Sequence, residues 1–459
     1  MSTIKAYQFK DGIYIPNENI TNKQKQLIKE KLTFIVKGPN FGFKKKSNKV
    51  IRLYCESNNE KTTFLTVPKF FKSPFRLKII WDSLKTGNET VKNININFKG
   101  ELKPIQKKVV DQSFDKLYDD LNMLYCLPCG FGKTVLSVYL LSKLKVKTFI
   151  FVHTDNILNQ WIDSLLKFTD LKAEEIGIIN GKNKKISENH KIIISMVQTV
   201  MQNNFNEEII PGDIGLLICD ECHHLGAEKF NKVIEKVPSK WYISLSATPK
   251  RQDGAEDVYK TCLGYNVYEA TAEFKDKINV YVKDYNFSND FKQKYKFILE
   301  GNTQTNYSKI LSKITEDYER NAGILKLINE LITRGRKIIL ISLRINQLNF
   351  FYDQLTSKNN VKVCRIYNNY NEDFKDHSVL LASYSKANEG LDVPNLDTLI
   401  LACPVSNIQQ CCGRITRGET GITREIYDIN DDIMVGSFFK RKKYYSKITD
   451  DIIYDNLIN

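Results

Sequence analysis

The chain has 459 residues, 42% of them hydrophobic and 11% aromatic, which at about 150 residues per domain excludes one small fold and suits two large domains with an appended module. Charged residues make up 26%, a share that excludes wholesale disorder. The 68 basic and 53 acidic side chains leave a net charge of +15 and a pI near 9.1, a balance that answers to a polyanion or to an acidic membrane surface.

Residues 1–98 read as a separate strand-rich module. They carry β-type runs at Arg52 to Cys55 and Thr62 to Val67, the prolines Pro68 and Pro74, and the basic triplet Lys44, Lys45, Lys46. The module selects duplex, offers a docking surface, or caps the domain that follows. Met1 to Lys10 is polar, without the apolar core of a secretory signal, and no run nears the ~18 apolar residues of a membrane span. An intracellular, soluble protein is expected. The ten cysteines are scattered through a long chain, so no disulfide framework is expected.

From 99 to 274, short apolar runs at Thr148 to Val152, Ile192 to Met196, Ile214 to Cys219 and Tyr242 to Ser246 alternate with helical periodicity. Buried parallel strands joined by helices produce that rhythm, so the fold class is α/β. Leu158, Trp161, Ile162, Leu165 and Phe168 make one apolar helix stripe. Over 275–459 the rhythm returns at Ile338 to Ile341, Val361 to Ile366, Val379 to Ala382, Thr398 to Ala402 and Ile426 to Ile429. Between the two series, Thr271 to Tyr307 is rich in Lys, Asp and Asn and reads as a connecting segment. Phe438 to Tyr445 mixes cations with rings, as a solvated helix face with docking aromatics or a nucleic-acid contact would.

Leu124 to Thr134 passes from an apolar run through Gly130, Phe131 and Gly132 into a helical pattern, the strand–turn–helix context of a P-loop. Backbone N–H groups and Lys133 would then face phosphate, and Thr134 would hold Mg²⁺. Leu127 stands where the pattern has its first glycine, and a tight Gly turn with a surface lysine is the plain alternative. Ile214 to His224 is a buried strand ending in Asp220 and Glu221, which places two carboxylates at the sheet edge where parallel α/β folds bind ligands. Asp220 suits water-mediated Mg²⁺ contact and Glu221 suits positioning and deprotonating a water; a pair that only caps the next helix is the alternative. Cys219, Cys222, His223 and His224 look like a zinc half-site, but Cys219 lies inside the apolar run, and no structural zinc is expected. Ser246 and Thr248 end another apolar run. Gln410, Arg414 and Arg417 share one helix face amid Ile408, Cys411, Cys412 and Ile415, and paired guanidiniums suit a γ-phosphate in transit.

Taken in order, LPCGFGKT, DECHH, LSATP, ANEGLDVP and QCCGRITR resemble motifs I, II, III, V and VI of the superfamily 2 DExH helicases and translocases. The likeness runs over about 100–430 and is nearest in style to the XPB-like branch, including helicases of large DNA viruses (the poxvirus transcript-release type) and phages. It implies two tandem RecA-like motor domains and an ATP- and Mg²⁺-dependent helicase or translocase on DNA, moving 3′ to 5′. RNA polymerase or other transcription factors are implied as partners, and a host cytoplasmic, viral-factory, virion or nuclear setting.

By resemblance, Gln106 lies on the adenine side, Gly390 and Asp392 lie near the nucleotide, and Arg414 and Arg417 meet the γ-phosphate. His223, Gln410, Ser246 and Thr248 couple hydrolysis to strand movement. Gln160, Trp161 and Ser195 to Gln198 fall where motifs Ia and Ib line the nucleic-acid track, although Trp161 also belongs to the apolar stripe. A DExH RNA helicase and a non-catalytic basic nucleic-acid-binding module are the alternative readings.

Overall fold

The computed structural model describes residues 3–36, 40–41, 44–45, 49–59, 62–82, 91–128, 130–181, 186–202, 209–222, 233–247, 256–270, 276–300, 304–358, 361–368, 370, 372–388, 393, 395–416 and 421–458. The chain divides into two compact units, Met1–Pro39 with Lys46–Thr271, and Asn40–Lys45 with Ala272–Asn459.

The N-terminal module of the first unit consists of β1 (Thr3–Gln8), β2 (Ile13–Pro16), α1 (Asn22–Lys31), β3 (Thr33–Val36), β6 (Lys49–Arg52), β7 (Cys55–Asn59), β8 (Thr62–Val67) and β9 (Arg76–Asp82), while the hairpin β4 (Asn40–Phe41) and β5 (Lys44–Lys45) between β3 and β6 falls to the second unit. Five of the strands form a sheet in the order β7-β8-β2-β1-β9. The expected run at Thr62 to Val67 is β8, whereas Arg52 to Cys55 straddles the end of β6 and the start of β7.

In the first unit there follow α2 (Pro104–Asp120), β10 (Asn122–Cys126), α3 (Lys133–Leu144), β11 (Thr148–Val152), α4 (Asp155–Phe168), β12 (Ile176–Ile179), β13 (Ile192–Met196), α5 (Val197–Val200), β14 (Leu216–Cys219), β15 (Trp241–Ser246), α6 (Glu256–Leu263) and β16 (Val267–Glu269). Its seven strands lie in the order β12-β13-β11-β14-β15-β10-β16, and every pairing is parallel.

Side chains alternate between the two faces of this sheet. Tyr125, Ile150, Ile218 and Ile243 pack with Trp161, Leu140 and Val109 from the helices. Leu124, Phe149, Leu217 and Tyr242 share a core with Ile4, Ile15, Leu65 and Val67 of the N-terminal sheet. Lys69 is almost fully buried at this seam, where its Nζ donates to the carbonyls of Ser239 at 2.9 Å and Lys240 at 2.7 Å. Charge-assisted bonds of about 1.5–3 kcal/mol each offset the loss of water around the ammonium. The Lys10 Nζ likewise donates to the Gly212 carbonyl at 3.1 Å. The module thus covers one face of the first seven-stranded sheet.

The second unit consists of β17 (Ile278–Tyr285), α7 (Asn289–Lys294), α8 (Lys296–Glu300), α9 (Gln304–Glu316), α10 (Tyr318–Thr333), β18 (Ile338–Ser342), α11 (Ile345–Lys358), β19 (Val363–Ile366), β20 (Val379–Ser383), α12 (Tyr384–Asn388), β21 (Thr398–Leu401), α13 (Gln409–Ile415), β22 (Arg424–Asp431), α14 (Val435–Tyr445) and β23 (Ile452–Asn456). Its order is β19-β20-β18-β21-β22-β17-β23, again with parallel pairings. Numbered from its own first strand, each sheet has the order third, fourth, second, fifth, sixth, first, seventh. The two sheets are therefore topological copies, the tandem RecA-like plan.

This repetition corrects the reading of Thr271 to Tyr307 as a connecting segment. β17 lies inside that stretch and is the counterpart of β10, hydrogen-bonded on both sides. Its residues alternate, with Ile278, Val280, Val282 and Tyr285 buried and Asn279, Tyr281, Lys283 and Asp284 only partly covered. A search for continuous apolar runs passes over such a strand. In α14, Phe438, Arg441 and Tyr445 are buried while Phe439 is exposed, so this cation-and-ring helix docks by one face onto its own domain.

Candidate nucleotide site

β10 delivers the chain to a turn in which Gly130 and Gly132 both adopt positive φ, at 77° and 86°. Left-handed backbone of this kind is open to glycine at little cost. Gly132 is the N-cap of α3. A glycine N-cap offers no side-chain acceptor to the first-turn N–H groups, the arrangement that lets a helix N-terminus take up phosphate oxygens. A Cβ at 132 would also stand 2.6 Å from Gln106 Nε2, so the glutamine amide would have to shift to admit one.

Gln106 is buried in the first turn of α2, with its Nε2 donating to the Phe131 carbonyl at 3.0 Å and the Gly132 carbonyl at 3.4 Å. Its Oε1 accepts from the Lys103 N–H at 2.9 Å. The amide that the resemblance sets beside adenine thus braces the glycine turn through its Phe131 and Gly132 carbonyls. Lys133 and Thr134 open α3.

β14 is buried along its whole length and ends at Asp220 and Glu221. The Asp220 N–H donates to the Phe151 carbonyl at 3.0 Å, which holds the acid against β11. Glu221 turns out of the sheet in the left-handed region, φ 45°. Non-glycine residues reach that region at a cost of about 1–2 kcal/mol. The turn brings its Oε1 to 3.3 Å from Lys133 Nζ, with both side chains largely covered. Asp220 Oδ1 accepts from the Glu221 N–H at 2.9 Å, and Oδ2 accepts from Trp161 Nε1 at 2.8 Å. Burial first, then the Glu221 carboxylate, push the Asp220 carboxyl up from its ordinary range, while the Trp161 N–H and Lys133 pull the other way.

The lysine and the two acids predicted from the sequence are therefore assembled at one sheet edge. Thr134 and Asp220 present hard oxygen donors, the set that fits a Mg²⁺ taking its other ligands from water and phosphate. Among the described residues no group of three or more His, Cys, Asp and Glu could hold a metal by itself.

Ser246 is buried at the end of β15, and its carbonyl accepts from the Leu127 N–H at 3.1 Å, which ties this strand to the entry of the glycine turn. Gln160 is partly covered on α4. Gln198 is exposed and its Nε2 donates to the His153 carbonyl at 3.0 Å, whereas Ser195 is fully buried inside β13. In the second unit Gln410 and Arg414 are buried on α13. Arg414 Nε donates to the Ala387 carbonyl at 2.6 Å, tying motif VI to the start of motif V. His223, Thr248, Gly390, Asp392 and Arg417 lie outside the described residues. Cys219 and Cys222 are fully buried, and burial pushes both thiols up.

Trp161 was legible only as half of what it is. The apolar stripe marks its ring as core, where it is fully buried. The partner of its N–H lies 59 residues away in sequence, and nothing local to α4 signals it.

A protein-family model described as the type III restriction enzyme res subunit matches residues 99–251. A protein of Acanthamoeba polyphaga mimivirus named as an ATP-dependent RNA helicase is 30% identical over 448 residues, 95% of this chain and 84% of that protein. A transcript termination protein of Yaba-like disease virus is 28% identical over 406 residues, 80% of this chain and 81% of its own. The solved structure of S. cerevisiae Dbp5 bound to RNA and ADP BeF3 covers 78% of this chain and 94% of its own, with a TM-score of 0.53 at 15% identity; that likeness is one of fold. Among the described residues no helix is long and apolar enough to cross a membrane. A P-loop and a DExH acid pair assembled on one of two RecA-like sheets, together with viral relatives matched over most of their length, make this chain a member of the superfamily 2 DExH helicases and translocases, ATP-dependent enzymes that act on nucleic acid.

Proposed function

We propose that the chain is an ATP-driven DNA helicase or translocase moving 3′ to 5′ and serving viral-type transcription, at elongation, termination or transcript release, with RNA polymerase or its factors as partners. The observation that carries the chemical part is the convergence of Lys133 with Asp220 and Glu221, the lysine and Glu221 3.3 Å apart. The termination role rests on the poxvirus relative's name, and the net charge of +15 suits a phosphate backbone.

In this mechanism the Gly130–Thr134 turn receives the β- and γ-phosphates on its N–H groups. Lys133 exchanges Glu221 for phosphate oxygen, which frees the Glu221 carboxylate to orient a water and accept its proton. Asp220 and Thr134 would hold Mg²⁺, which would supply the withdrawal of charge from the phosphate oxygens. Gln106 keeps the turn from collapsing. Arg414 and Arg417 are assigned to the γ-phosphate, Gly390 and Asp392 to the nucleotide, and His223, Ser246, Thr248 and Gln410 to coupling, all by the motifs they occupy. Gln160 and Gln198 are assigned to the nucleic-acid track.

The mimivirus relative is named as an RNA helicase, which supports a second reading with RNA in the track. Steady-state ATP turnover with single-stranded DNA, duplex DNA or RNA separates the two. DNA is expected to raise the rate several-fold, with the stimulation falling steeply as salt rises. Stimulation by RNA alone would install the second reading, and stimulation by no polymer would remove both.

A further inference from the structure

Asp220 is held from two sides. The N–H of its own neighbour, Glu221, reaches Oδ1 at 2.9 Å, and an indole from a different element reaches Oδ2 at 2.8 Å. Two donors on two oxygens fix the plane of a carboxylate, and each oxygen keeps a further lone pair for an outside ligand. The donor on Oδ2 is itself immobile. Trp161 is fully buried near the middle of α4, between Leu158 and Leu165 on the stripe that packs under the sheet.

The packing alone does not require tryptophan there, because phenylalanine or leucine would also supply an apolar body. What tryptophan adds is a single donor, and a buried indole N–H is placed where it has an acceptor. That acceptor is the acid at the end of β14. Trp241 provides an internal comparison on the same sheet: it is buried too, but its Nε1 donates to the Tyr118 carbonyl at 3.2 Å.

We propose that Trp161 is the positioning residue of Asp220, setting through its indole N–H the orientation in which this carboxylate meets the Mg²⁺ of the bound nucleotide. The inference rests on the nucleotide-site reading given above. It assigns α4 a duty in the hydrolysis chemistry, where the motif resemblance gives that region to the nucleic-acid track. Trp161 is fully buried, so it reaches the chemistry only through the hydrogen bond its indole donates to Asp220.

The test compares Trp161→Phe with Trp241→Phe in the full chain, with three readouts: thermal unfolding, ATP turnover, and binding of fluorescent ADP titrated with Mg²⁺. Both variants lose a buried indole donor, so both should lower the melting temperature. Only Trp161→Phe should cut kcat by ~10-fold or more with KM for ATP within about two-fold, as loss of a bond that matters chiefly in the transition state does. It alone should also raise several-fold the Mg²⁺ concentration needed for half-maximal ADP binding.

Equal kcat and equal Mg²⁺ dependence in the two variants would overturn the proposal. A wild type that binds ADP with Mg²⁺ but does not hydrolyse ATP would overturn the functional reading instead, and the Mg²⁺ titration would still decide on Trp161. Should Trp161→Phe fail to fold, the three tryptophans of the chain allow an isosteric version. Trp81→Phe and Trp241→Phe are combined, and benzothienylalanine, which replaces the indole N–H with sulfur in the same bicycle, is incorporated at 161. The same Mg²⁺ shift is expected there, and its absence would overturn the proposal.

Discussion

Lys133→Ala is expected to lower ATP turnover by ~100-fold or more while leaving the fold intact, on the scale seen when one preorganised charge or donor is removed from a developing anion. The fold should survive because Lys133 is the first residue of α3, where alanine is at least as good a helix former. The backbone carbonyl that accepts from Ser137 Oγ at 2.9 Å is also unchanged. What disappears is the charge beside Glu221, paired with it at 3.3 Å, and with it the cation that draws the phosphates into the turn. Circular dichroism should match wild type, and nucleotide binding should weaken together with turnover. Turnover within two-fold of wild type would refute the assignment of this turn as the phosphate site.

The second large effect is one of stability and lies in the other domain. Arg320→Met should destabilise the second unit by about 3–5 kcal/mol, the cost of leaving a buried charge without its partner. That is a large part of the 5–15 kcal/mol typical of a folded domain. Arg320 and Asp431 are both fully buried. The guanidinium grips the carboxylate with two bonds, Nε to Oδ1 at 2.6 Å and Nη2 to Oδ2 at 2.9 Å, and its Nη1 donates to the Ala402 carbonyl at 2.9 Å.

A second buried pair works beside it. Asp428 Oδ2 accepts from Arg441 Nε and from the Tyr445 hydroxyl, both at 2.8 Å, and Arg441 Nη1 donates to the Val405 carbonyl at 2.7 Å. The two arginines therefore hold Ala402 and Val405, the ends of the short stretch that leads from β21 toward α13 and the motif VI residues. β21 and β22 are the counterparts of β14 and β15, so the second sheet devotes to a buried ion pair the edge that the first sheet gives to its acids. Urea unfolding followed by circular dichroism and limited proteolysis should show the second unit yielding first in Arg320→Met. The double change Arg320→Met with Asp431→Leu should recover much of the loss, since an apolar pair carries no desolvation cost. Equal stability of Arg320→Met and wild type would contradict this view of the pair.

The strands most legible in the sequence were those buried on both faces. Thr148 to Val152 and Ile192 to Met196 are continuous apolar runs, and their ends coincide with β11 and β13. β17 was not legible in that way, because its buried residues alternate with polar ones, and neither were β12, β16 and β23, of only three to five residues each. The placement of Lys133, Asp220 and Glu221 could be anticipated because each sits beside a local signal, a glycine turn or a strand end. Partnerships between distant segments leave no such trace. The Gln106 amide against the phosphate turn, the Trp161 indole on Asp220 and the Arg320 guanidinium on Asp431 appear only once β-strands far apart in sequence lie side by side.

The central claim, that Glu221 activates the water which attacks ATP bound at Lys133, is tested most directly by Glu221→Gln. Glutamine keeps the shape of the side chain and removes both the charge and the basicity. Binding of ATP with Mg²⁺ should persist at near wild-type affinity, while single-turnover hydrolysis in the presence of DNA should fall by at least ~100-fold. Hydrolysis at the wild-type rate with binding intact would contradict the account, because another group would then have to accept the proton.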